Sequence, residues 1–110
     1  GCKKSTWASG GFRLMNIEVS REKVLEAIAL TNAAREKATP IVGINSSEGL
    51  RLQDMLKMCD DYRRDALHFL DTGDYVRAFG AIYYAHAWID AGVRIGWLDG
   101  HGDDHLFTLP

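Results

Sequence analysis

Cysteine is scarce in this chain, with two residues in 110: Cys2 in a tail-like stretch and Cys59 inside a helical pattern. Two thiols so placed build neither a disulfide framework nor a zinc knuckle, and a reducing cytoplasm is the simplest setting. Charge of one sign is missing too, since 13 Lys and Arg against 15 Asp and Glu give a formal net charge of -2. That balance supplies no electrostatic reason to seek nucleic acid or anionic lipid, so neither is an expected partner. Residues 1–20 lack a continuous apolar segment, and no secretory signal is expected. Arg77, Asp90 and Arg94 break the longest apolar run, keeping it below the roughly 18 uncharged residues of a membrane span. Internal repeats and low-complexity tracts are absent as well. What remains is the composition of a globular domain, 46% hydrophobic and 25% charged, at a length suited to one core.

The chain is organised around Asp74 to Leu98, DYVRAFGAIYYAHAWIDAGVRIGWL. This stretch reads as one helix that is apolar nearly all round, so other elements must cover it. Ahead of it, residues 1–14 have no periodicity and are expected to form a flexible tail before a single domain over 15–110. The tail starts at Gly1 rather than Met, with Met15 as an alternative start. Gly1 to Ser5 meets the N-myristoylation pattern, with Cys2 as a second acylation position. One Gly and one Ser carry little, and a plain tail is the preferred reading.

A first helix is expected from Arg21 to Ala38, capped by Ser20 and stopped by Pro40. The connector IVGINSS follows, its Ile41, Val42 and Ile44 expected to plug one end of a bundle. A second helix runs from Ser47 to Asp71, with Leu52, Met55, Leu56, Cys59, Tyr62, Ala66, Phe69 and Leu70 on one stripe. Thr72-Gly73-Asp74 is a compact turn that folds the second and third helices into an antiparallel hairpin. Residues whose numbers sum to about 145 then lie at one height. Gly100 and Gly102 end the third helix, and Leu106 to Leu109 is extended and apolar enough to fold back. The expected fold is all-α: an up-and-down three-helix bundle on a long hairpin, with a short extended C-terminal tail.

The hairpin sequence from Asp60 to Leu98, with the terminal LFTLP, resembles the archaeal family catalogued as domain of unknown function 357. The matching features are Tyr62 and Asp65 ahead of Phe69, Gly73-Asp74-Tyr75, Ala78, Tyr84-Ala85, Asp90-Ala91-Gly92 and Gly96. The resemblance extends from about Arg21 onward and leaves out the first 14 residues. It implies a small up-and-down helical bundle with no established catalytic residues.

Four constellations carry chemistry. His86, Asp90 and Arg94 stand four apart on one helix face, so Asp90 is placed to accept from both neighbours. Such a trio either prepares an imidazole for proton transfer or pins the first helix or the C-terminal strand onto the hairpin, and pinning is preferred. Tyr62, Asp65, Tyr83 and Tyr84 form a second cluster near the turn. A Tyr–Asp pair there, with Tyr62, Asp65 and Tyr84 as ligand-binding candidates, would hold a small polar ligand. Asp65 accepting the hydroxyl proton of Tyr83 or Tyr84 is the preferred reading. His101 and His105 in HGDDH are weak metal candidates on a Gly-flanked loop, and no metal site or cofactor is assigned. Arg94 and His101 also meet the loose Arg-x6-His spacing of HEPN ribonucleases, although Ile95 replaces the usual polar residue after the Arg.

Two functions follow. One is a non-catalytic interaction or assembly module binding a protein partner or a second copy as a homodimer, with Trp88, Ile89 and Trp97 at the interface. The other is a small-molecule or nucleotide-binding protein, a HEPN-like hydrolase among the options, using His86, Asp90 and Arg94 with Tyr84. The first is preferred.

Overall fold

The computed structural model describes residues 18–110; the expected tail over 1–14, its acylation pattern and Met15 lie outside them. Helix α1 (Arg21–Lys37) starts where the Ser20 hydroxyl accepts from the Lys23 amide. It ends one residue before a two-residue strand β1 (Thr39–Pro40). Helix α2 (Ser47–Asp71) is capped by Ser46, and helix α3 (Tyr75–Arg94) by Asp74. Strand β2 (Leu98–Asp99) pairs antiparallel with β1, Thr39 opposite Asp99 and Pro40 opposite Leu98.

The hairpin turn forms as the sequence indicates. Gly73 sits at φ 81°, and the Asp74 and Gly73 amides bond back to the Phe69 and Leu70 carbonyls at 2.8 and 3.1 Å, closing the end of α2. Tyr62 meets Tyr84, Phe69 meets Arg77, and Leu52 meets Gly92, so the register holds along the hairpin. The same device ends α3 earlier than expected. Gly96 takes φ 82°, and the Trp97 and Gly96 amides bond to the Gly92 and Val93 carbonyls at 3.0 and 3.1 Å. The helix expected to reach Leu98 therefore stops at Arg94, which frees Leu98 and Asp99 to pair with β1.

Helix α3 is central, with α2 and α1 both packed on it and touching each other little. The α1–α2 seam is polar: Arg35 grips Asp60 through Nε and Nη2 (3.0 and 3.1 Å), and Arg63 bridges Asp60 and Asn32. The core is Val24, Ile28, Thr31 and Ala34 of α1, Leu52, Cys59 and Ala66 of α2, and Ala78, Ile82, Ala85, Ile89 and Val93 of α3, closed by Leu98, Leu106 and Phe107. The architecture is the all-α three-helix bundle expected.

Two helices enclose only part of a third, and α3 leaves Val76, Gly80, Tyr83, Tyr84, Ala87 and Ala91 exposed on one side. The expectation for the connector holds only in part. Val42 packs against the core, whereas Ile41 and Ile44 are 60% and 68% exposed.

Candidate functional site

His86, Asp90 and Arg94 do stand on one face of α3, but they do not bond to one another. Each holds the main chain of the segment from Leu106 to Leu109. His86 Nε2 donates to the Leu106 carbonyl at 2.8 Å, Asp90 accepts the Thr108 amide, and Arg94 donates to the Leu109 carbonyl. The segment is not the extended strand expected. Asp104 to Leu106 form a turn and Phe107 a bend, with the Phe107 amide bonded back to the Asp103 carbonyl at 3.1 Å. The three side chains, one helical turn apart on α3, each meet a main-chain group as the segment leaves that turn.

Neutral His86 has one protonated nitrogen. A carbonyl can only accept, so that proton sits on Nε2, and Nδ1 takes the hydroxyl proton of Thr31 at 3.0 Å. Thr31 is 2% exposed, and this bond ties α1 into the clamp. The imidazole is therefore spent on two structural bonds, and its expected partner Asp90 faces the Thr108 amide instead. Below the clamp, Phe107 is buried against Gly100 and Val93, and Leu106 is buried with it. The turn before them is fixed by Asp103, whose Oδ1 accepts the His105 and Leu106 amides while Oδ2 pairs with Lys37 Nζ at 2.9 Å. Lys37 and then the Leu106 amide hold the Asp103 carboxyl below the ordinary carboxylate value.

Beside His86 lies a small cavity of about 90 Å³, lined by Ala27, Leu30, Thr31, Ile82, Tyr83 and His86. It has room for a few waters but not for a nucleotide. The other expected groupings do not assemble. Asp65 is exposed, and Tyr62 instead stacks edge-on against Tyr84 with ring centroids 4.5 Å apart. His101 bonds Thr39 Oγ1 at 2.9 Å and Arg94 bonds Leu109, so the Arg–His pair of a HEPN site is not formed. His105 is exposed, and among the described residues no three His, Cys, Asp or Glu side chains converge as a metal site requires.

The three residues expected at an interface part company. Ile89 is fully buried in the chain's own core. Trp88 is half-buried against Tyr84, and its indole N–H is buried with no hydrogen-bond partner among the described residues. Trp97 is half-buried and lines an open groove at the foot of the hairpin with Leu50, Arg51, Met55 and Ile95. Leu50 and Ile95, 58% and 53% exposed, were not among the expected interface residues. Leu50 lies outside the apolar stripe of α2, and that displacement is the sequence signal that marks it.

A family model described as protein of unknown function (DUF357) matches residues 27–98. The match takes in the clamp side chains of α3 and stops before the segment they hold. No curated protein and no solved structure matches the chain.

Proposed function

The chain belongs to the DUF357 family of proteins of unknown function, and from that premise we propose that it is a non-catalytic interaction module that associates with a second copy of itself. The supporting observation is the apolar foot of the hairpin. Leu50, Ile95 and the half-buried Trp97 line one groove there, and the exposed Ile41 and Ile44 lie on the connector bonded beside Trp97. Contiguous exposed apolar surface of this kind is characteristic of a contact with another macromolecule. A face present in every copy is the simplest source of a self-complementary contact. The polar line of α3 gives the ligand-binding alternative no comparable support, since all three side chains are occupied by the chain's own backbone.

Light scattering on the eluting protein tests the reading. The full chain is expected to move from 12.3 kDa toward twice that mass as concentration rises, and Ile95→Asp or Leu50→Asp is expected to hold it at the monomer mass. A monomer at every concentration, or association that both variants leave unchanged, contradicts it.

A further inference from the structure

The segment clamped by α3 is joined to the bundle through a hinge with an unusual backbone. Gly100, His101 and Gly102 separate it from β2, and His101 takes φ 55°, a left-handed conformation for a residue with a side chain, next to Gly102 at φ 72°. Non-glycine residues held there are strained. Short hinges under strain favour exchange of the element they carry between copies, because an opened hinge relaxes while every contact of the element is remade in the partner.

The contacts beyond the hinge form a transferable set. Asp103 carries its turn with it through bonds to His105 and Leu106. The bonds back to the bundle are those to Lys37, His86, Asp90 and Arg94. Three of these four are made by main-chain atoms of the segment, and Leu106 and Phe107 supply the apolar anchors. The hinge leaves the bundle at the foot, three residues beyond Trp97, so copies that trade segments meet where Ile95 and Leu50 are exposed.

We propose that the groove between α1 and α3 accepts residues 103–110 of a second copy, so that the protein assembles by exchanging this segment about the Gly100–Gly102 hinge. The inference draws on the self-association reading for the surface that the open form buries, and the test separates the two.

Two full-length variants are mixed: Asp90→Ala, with a damaged groove and an intact segment, and Phe107→Ala, with the reverse. Exchange gives a one-to-one heterodimer by native mass spectrometry. In it the Thr108 amide of an isotope-labelled Asp90→Ala chain, unprotected alone, regains at least about tenfold protection from hydrogen exchange, because it meets the intact Asp90 of the other chain. No heterodimer overturns the proposal. So does a heterodimer in which that amide stays unprotected, which is association through the foot alone. Should a variant fail to fold, the wild-type chain is incubated with a fluorescent peptide of residues 103–110. Saturable uptake, at a rate set by opening rather than by peptide concentration, supports exchange, and no uptake over a scrambled peptide overturns it.

Discussion

His86 and Leu106 are joined by a 2.8 Å hydrogen bond from the imidazole Nε2 to the main-chain carbonyl. The same ring accepts from Thr31 of α1, so one side chain holds three separate parts of the chain together. Replacing it by alanine leaves a buried hydroxyl and a carbonyl without their partners. His86→Ala is expected to lower unfolding free energy by about 1–3 kcal/mol in urea titrations. A loss of a few tenths would mean that the ring is not a structural bridge.

Two glycines of the hairpin make a matched comparison. A Cβ on Gly49 would lie 2.0 Å from the Gly43 carbonyl oxygen, whereas one on Gly80 would meet nothing within 4 Å. Gly49→Ala is therefore expected to destabilise by about 2 kcal/mol or more through a backbone collision. Gly80→Ala is expected to stabilise by about 0.5–1 kcal/mol by restoring helix propensity. Thermal melts of the two variants should move in opposite directions.

Cys59 is fully buried. Burial first, and then the Asp60 charge, push its thiol up to about 11 against the opposing pull of Arg63 and Arg35. At pH 8 about one thiol in a thousand is ionised. In a Cys2→Ser background the folded chain is expected to resist a disulfide reagent, and to react at least about 100-fold faster in denaturant. Rapid labelling of the native chain would contradict the packing assigned to α2.

Acid should loosen the α1–α2 seam. Partial burial pushes the Asp60 carboxyl up, but the hydrogen bonds and charges of Arg35 and Arg63 outweigh it and hold the group below its ordinary 3.8. A carboxyl depressed in the folded state contributes stability above its unfolded value and loses it as pH falls through the folded one. The melting temperature is expected to drop as pH falls below 3.8, and Asp60→Asn is expected to flatten that drop. The exposure of the pair keeps the effect modest at neutral pH.

The hairpin was legible because its signals are local: a Gly at the turn, an Asp cap after it, and one apolar stripe on α2. The early end of α3 was also written in the chain, at Gly96, but the apolar Trp97 and Leu98 masked it by continuing the helical pattern. The pinning role of His86, Asp90 and Arg94 could be framed from their spacing, with the first helix or the C-terminal segment as what is pinned. The individual atoms held could not, because main-chain groups 15 to 20 residues away carry no side-chain signature. Asp65 and the exposed Ile41 and Ile44 show the same limit. Which side of an element meets solvent depends on how its neighbours are placed around it, and that placement is not written in the local pattern.

The central claim is that the polar line of α3 is occupied by the backbone of the closing segment. Thr108 tests it most directly, because its side chain is exposed while its amide donates to Asp90. Hydrogen exchange followed by NMR is expected to show that amide protected by at least about 100-fold in the wild type, with the protection lost in Asp90→Ala. A Thr108 amide exchanging at the rate of an unstructured peptide in the wild-type chain would contradict the account.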